Sequence, residues 1–307
     1  MDISVLIPVR NEANALGFLI PRLLAALGSM NLKWEVIFVT DINSDNTYEV
    51  LKVYHEKHPQ IKIIKLTNSF GQHIAIWAGL RLCKGKCAVI MDGDLEVFPE
   101  DIPKLYRKQQ EGYDIVYGHS KTKNRSLFRD TASRLFRRVM STLTDYTMES
   151  NSNMFRIISR RVINEILRFE EYDPSLTYIM GLINLPSAGI PLSFGKREHG
   201  RTKYSLKKQL NFALNSLLSF STTPLRMISA LGFFISLASF IYLAVVAIQK
   251  LFVEYSGFGW GTVIVLIIFF GGLQLFAIGI IGEYIGRIFI QSKNRPRYII
   301  EEKTGDL

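Results

Sequence analysis

Two long stretches without charge constrain this chain more than any other feature. Between Arg226 and Lys250 lie 23 residues without Asp, Glu, Lys or Arg, and between Glu254 and Glu283 lie 28. As a helix, either stretch is long enough to cross roughly 30 Å of hydrocarbon. The competing reading is two buried helices of a large core, but core helices of that length usually carry a polar face. Composition agrees with membrane spans: 48% of the 307 residues are hydrophobic and the mean hydropathy is +0.15, high for a purely soluble chain. The pattern predicts a transmembrane hairpin over 225–288, with spans at about 227–249 and 259–282.

Orientation follows from the flanks. Arg201, Lys203, Lys207, Lys208 and Arg226 precede the first span, and Arg287, Lys293, Arg295 and Arg297 follow the second. The connecting loop has only Lys250 and Glu254. Lys and Arg collect on the cytoplasmic side, so both termini are expected in the cytoplasm, with 289–307 as a cytoplasmic tail of a multi-pass protein of the cytoplasmic membrane. The start, "MDISVLIPVR", has an apolar run too short for a signal peptide and reads as a strand.

The region before the hairpin alternates strand and helix patterns. "ISVLIPV", "WEVIFVT", "IKIIKL", "CAVIMD" and "YDIVYG" are rich in β-branched residues and are separated by segments of helical spacing. Such alternation argues for an α/β domain with a mostly parallel sheet covered on both faces. Ligands of such sheets bind beyond the carboxyl ends of the strands. Three polar clusters fall there: "PVRNE" (8–12), "TDINSDNT" (40–47) and "DGDLE" (92–96). Each alone reads equally as a turn or a cap, with Asn11 and Asn46 as candidate N-caps; together they favour a site. The carboxylates of Asp92, Asp94 and Glu96 suit a hard cation, Mg²⁺ or Mn²⁺, bound through oxygen. Neither common glycine-rich phosphate loop is present, and "GQHIAIWAG" (71–79) does not match one. Cys83 and Cys87, the only cysteines, lack a His at metal-binding spacing.

Positive charge is concentrated. Residues 119–138 and 196–226 each carry a net +6, against +10 for the whole chain. Both stretches adjoin apolar residues at helical spacing, such as Leu206, Leu210, Leu214 and Leu217. Basic amphipathic helices beside a membrane hairpin point to an anionic bilayer surface rather than to nucleic acid.

The order "SVLIPVRNE", "EVIFVTDINSDNT", "AVIMDGDLEVFPEDIPKL", "YDIVYGHS", "GRTKYS", "SFSTTPLR" and two spans ending in "GIIGEYIGRI" resembles the polyprenyl-phosphate glycosyltransferases of glycosyltransferase family 2, the group of dolichol-phosphate mannose synthase and the undecaprenyl-phosphate sugar transferases. The resemblance covers nearly the whole chain. It implies a Rossmann-like GT-A catalytic domain over 1–205, an amphipathic interface helix over 206–224 and then the hairpin. It further implies a nucleotide-diphosphate sugar as donor, a polyprenyl phosphate as acceptor and a divalent metal; relatives can form homo-oligomers through membrane-proximal helices. By position, Pro8, Glu12 and Asp41 would line the nucleoside pocket, Asp92 and Asp94 would face the donor, and Asp94 with Glu96 would hold the metal. Arg129 and Ser133 match positions that hold the acceptor phosphate, and Arg197 and Lys203 the basic pair over the donor diphosphate. Arg10 stands where the family often has Tyr, Thr40 and Ile42 replace an Asp and a Gly, and Glu96 replaces Gln, so the resemblance fixes neither base nor sugar.

A polyprenyl phosphate is already largely ionised near neutral pH, with a second pKa of about 6. The nucleophile therefore needs no strong base, which suits a chain with five His and no evident catalytic dyad. The expected reaction is inverting sugar transfer at the cytoplasmic leaflet. Two alternatives stay open: transfer to another lipid acceptor such as a diacylglycerol, and a catalytically silent, membrane-anchored scaffold that binds a nucleotide sugar.

Overall fold

A computed structural model describes residues 1–120, 154–171, 175–195, 222–252 and 260–306. In chain order these form β1 (Ile3–Val9), α1 (Ala13–Gly28), β2 (Trp34–Thr40), α2 (Thr47–Lys57), β3 (Ile61–Leu66), α3 (Gln72–Leu82), β4 (Cys87–Ile90), α4 (Ile102–Gln109) and β5 (Ile115–Ser120). After them come β6 (Arg156–Ser159), α5 (Arg160–Leu167), α6 (Leu176–Ile183), β7 (Ser187–Leu192), α7 (Thr223–Phe252), α8 (Trp260–Ser292) and β8 (Ile300–Thr304).

The eight strands form one sheet in the order β7-β5-β6-β4-β1-β2-β3-β8. β1 pairs in parallel with both β2 and β4, β2 with β3, and β5 with β7. β6 and β8 run against their neighbours, which makes the sheet mixed but mostly parallel. The five strands expected from the sequence are β1 to β5; β6, β7 and β8 are additions.

The period of two in β1 explains why helices cover both faces. Ile3, Val5, Ile7 and Val9 join one core with Leu16, Leu19, Leu23 and Leu27 of α1, while Leu6 joins the other with Ile76, Trp77 and Leu80 of α3. In α1 the buried leucines and Ile20 recur at three- and four-residue steps on one face. Each fully buried leucine contributes about 1.5–3 kcal/mol relative to exposure. α5 starts where Ser159 Oγ accepts the Val162 N–H, an N-cap bond.

The chain forms two compact units. The first bears the sheet and includes the C-terminal segment from Arg295 onward; the second carries α7 and α8. The expected tail thus contributes β8 to the sheet. α7 and α8 are long and apolar enough to cross a membrane: Thr223–Tyr242 has a mean hydropathy of 1.7 and Leu266–Ser292 of 2.0. Residues 206–221 of the expected interface helix lie outside the described residues.

Candidate active site

β1 is flanked by β2 on one side and β4 on the other, so the connections from its neighbours diverge at its carboxyl end. A crevice opens at such a switch point. Here it is a cavity of about 260 Å³ at the carboxyl ends of β1, β2 and β4. Pro8, Glu12, Asp41, Asp92 and Asp94, all expected as site residues, line it. Glu96 is not among its lining residues but lies two positions along the same loop. Arg129, Ser133, Arg197 and Lys203 lie outside the described residues.

Two loops that frame the cavity are stitched together by hydrogen bonds. Asn11 N–H donates to Asn43 Oδ1 at 2.9 Å, and Ser44 N–H donates to Asn11 Oδ1 at 2.7 Å. Glu12 N–H donates to Thr47 Oγ1 at 2.8 Å and Ala13 N–H to Asp45 Oδ2 at 3.1 Å. Asp45 is exposed; the little water its neighbours displace opposes its charge, but the donors from Thr47 and Ala13 outweigh this and hold the carboxyl below its usual range. The side chains of Asn11 and Asn46, candidate caps in the sequence, make no cap bond; Asn11 instead takes a left-handed φ of 57° and bridges the loops.

Asp41 has the most informative environment. It is only 9% exposed, and its Oδ1 has no hydrogen-bond partner among the described residues. Arg10 Nε lies 3.7 Å away, beyond hydrogen-bond range, and Arg10 Nη1 donates instead to Ser69 Oγ at 2.9 Å. A buried acceptor without a donor is costly. Because Asp41 lines the cavity, a ligand N–H or O–H placed there removes that cost.

On the β4 side, Gln72 Nε2 donates to Asp92 Oδ1 at 2.5 Å. Gly93 sits between the two aspartates in a tight place: a Cβ there would come 2.8 Å from Val9 Cγ1, so a larger residue would displace the Val9 side chain. Asp94 Oδ1 accepts the Glu96 N–H at 3.1 Å, which closes a turn between the two expected metal ligands. Among the described residues no three His, Cys, Asp or Glu side chains are grouped as a complete metal site. Two carboxylates on one turn fit a hard cation that takes its remaining oxygens from water and phosphate, as Mg²⁺ usually does.

The sequence reading missed the wall formed by Ser69, Gly71 and Gln72. The signal was present: "TNSFGQ" follows strand β3 just as the other three clusters follow theirs.

Residues 4–167 match the family Glycosyl transferase family 2. The chain is 33% identical to the uncharacterized glycosyltransferase YkcC of Bacillus subtilis over 303 residues, which covers 98% of this chain and 94% of that protein. It is also 33% identical to the undecaprenyl-phosphate 4-deoxy-4-formamido-L-arabinose transferase of Yersinia enterocolitica over 306 residues, 99% of this chain and 94% of the relative. Among solved structures, glucosyl-3-phosphoglycerate synthase from Mycobacterium tuberculosis, in complex with Mn²⁺, UDP and phosphoglyceric acid, aligns with a TM-score of 0.51 at 16% identity, over 70% of this chain and 78% of that one. That likeness is one of fold, GT-A. With its GT-A sheet and its cavity at the switch point, this chain belongs to glycosyl transferase family 2.

Proposed function

We propose that this protein transfers a sugar, with inversion, from a nucleotide-diphosphate sugar to a polyprenyl phosphate at the cytoplasmic face of the membrane. The observation that carries this reading is the cavity between β1, β2 and β4, with Asp41, whose Oδ1 accepts no hydrogen bond among the described residues, on one wall and Asp92 and Asp94 on another. Near full-length similarity to the Yersinia undecaprenyl-phosphate transferase supports the acceptor class.

A carboxylate accepts hydrogen bonds and donates none, so Asp41 favours a nucleobase that presents an N–H, with Pro8 and Glu12 beside it. Asp94 and Glu96 are the residues to hold Mg²⁺ or Mn²⁺, which when bound would neutralise charge on the departing diphosphate. Gln72 orients Asp92 toward the donor. A phosphate oxygen of the lipid attacks the anomeric carbon as the bond to the diphosphate breaks. The nucleophile is already anionic, so the protein's main task is to bring two anions together with cations. By position, Arg129 and Ser133 hold the acceptor phosphate, and Arg197 and Lys203 hold the diphosphate.

α7 and α8 serve as the membrane anchor, and β8 supports an even number of crossings. β8 pairs with β3 from Ile63↔Thr304 to Leu66↔Ile300. A sheet cannot be completed through a bilayer, so the chain after α8 and the chain before α7 belong on one side.

The test is an assay of membranes containing the protein with a panel of nucleotide sugars, undecaprenyl phosphate and Mg²⁺ or Mn²⁺. An organic-extractable sugar product, labile to mild acid, is expected. A product stable to mild acid would replace the acceptor with a lipid such as diacylglycerol, and nucleotide binding without transfer or donor hydrolysis would leave a scaffold.

A further inference from the structure

Among the described residues, five non-glycine positions have a positive φ, and four of them are asparagine, which tolerates that region. The fifth is Leu95, at φ 62°, between Asp94 and Glu96. A branched apolar side chain does not adopt this conformation without something to hold it there. The side chain of Leu95 packs against the core on the α1 side of the sheet, which supplies part of the hold.

The remaining hold comes from a segment 100 residues away in sequence. After β7 the chain runs past the acidic loop, and Gly195 N–H donates to the Glu96 carbonyl at 2.9 Å. The two backbones are so close that a Cβ at position 195 would lie 2.9 Å from the Leu95 carbonyl oxygen and 3.5 Å from the Phe98 ring. The nearest obstacle is backbone and cannot rotate away as a flexible side chain would. Position 195 therefore accepts only glycine while this contact is kept.

We infer that Gly195 is a positioning residue for the carboxylate loop. Its N–H clamps the Glu96 carbonyl while its backbone lies close against the Leu95 carbonyl, which keeps Leu95 left-handed and thereby fixes where Asp94 and Glu96 present their carboxylates. The inference rests on the reading of Asp94 and Glu96 as metal ligands. Gly195 itself does not line the cavity. It acts as outer partners of metal ligands do, by limiting the orientations available to them.

The test uses the full chain in detergent with Mn²⁺ and uridine diphosphate as probes. Gly195→Ala should raise the Mn²⁺ dissociation constant about tenfold or more, while uridine diphosphate affinity in EDTA stays at the parent value. Amide exchange over residues 94–98 should quicken. In a Leu95→Gly background, where the left-handed turn needs no clamp, the same substitution should have a smaller effect on Mn²⁺ binding. Unchanged Mn²⁺ affinity and unchanged exchange in Gly195→Ala would overturn the clamp, as would an equal loss of uridine diphosphate affinity in EDTA, which would mark a general structural role. A parent protein that binds no Mn²⁺, with or without nucleotide, would instead overturn the metal reading on which the clamp depends.

Discussion

Lys62→Met should destabilise the sheet unit by about 3 kcal/mol, the low end of the 3–5 kcal/mol lost when one partner of a buried pair is removed. Glu35 is 0% exposed and Lys62 is 5% exposed. Lys62 Nζ donates to Glu35 Oε2 at 2.8 Å and to the Asp306 carbonyl at 2.5 Å. Glu35 Oε1 accepts Ser4 Oγ at 2.5 Å and the Lys84 N–H at 2.6 Å. Methionine keeps the apolar stem of lysine, so little packing is lost, but Glu35 becomes a buried charge with two donors instead of three. Those two remaining donors place the estimate at the low end of the range.

The pH dependence gives this prediction its sign. In the parent, burial is the largest influence on Glu35 and pushes its pKa up, but Lys62, Ser4 and Lys84 together hold it below the usual value. The parent's stabilisation from this group is therefore fully present above the unfolded carboxylate pKa, about 4.3, and is lost as pH falls through the lower folded value. Without Lys62, burial gains ground and the folded pKa rises. Protonation then relieves the variant, so the deficit should narrow between pH 7.5 and pH 5. Pulse proteolysis in urea on the detergent-solubilised chain reads the sheet unit directly. Glu35→Gln combined with Lys62→Met should recover part of the loss, because a neutral amide oxygen still accepts from Ser4 and Lys84. A single variant within about 1 kcal/mol of the parent, or a double variant no better than the single, would refute the reasoning.

Asp94→Asn should lower transfer ~10²-fold or more, the scale of losing one charge-stabilising group, with an unchanged circular dichroism spectrum; parent-level turnover at saturating metal would remove Asp94 from the site. Arg129→Ala should strongly lower transfer to polyprenyl phosphate while calorimetry finds parent affinity for the nucleoside diphosphate with metal. Equal losses in both would reassign Arg129 to the donor pocket. A reporter fused after Leu307 should report cytoplasm and a tag near Ser256 should be reachable from outside; protease reaching the C-terminal segment in intact cells contradicts the hairpin.

The parts of the fold legible in the sequence were those whose cause is local. β1 to β5 show themselves through β-branched runs because they are buried on both faces. β6 is only four residues long, and β7 carries Gly189 and Pro191, which edge strands tolerate but which weaken any strand signal. β8, "IEEKT", is charged, as edge strands often are. It is a strand because β3 is beside it and Glu301 pairs with Lys65 at 2.6 Å, 236 positions away. The site followed the same rule. Aspartates at strand ends could be read; the Gln72–Asp92 and Arg10–Ser69 bonds, and the burial of Glu35 in "WEVIFVT", depend on which strands become neighbours. Arg297 was read as a flanking membrane charge. Its guanidinium also lies 4.5 Å from the centre of the Trp77 ring and donates to the Phe169 carbonyl at 2.6 Å, contacts that the sequence alone does not show.

These long-range contacts make the two apolar helices an insertion within the sheet unit. The chain leaves the sheet after β7 at one edge, passes through α7 and α8, and returns as β8 at the opposite edge. Until β8 arrives, the Lys62 ammonium has its Glu35 partner but lacks the Asp306 carbonyl, and the outer edge of β3 is unpaired. An unpaired edge with buried neighbours is a template for association with other chains. Because β8 follows both apolar helices along the chain, the edge of β3 is covered only after both helices have been made. The charges of "IEEKT" keep the side chains of this edge strand in water, and its hold is left to the backbone ladder, the Lys65–Glu301 pair and the Arg297–Trp77 contact.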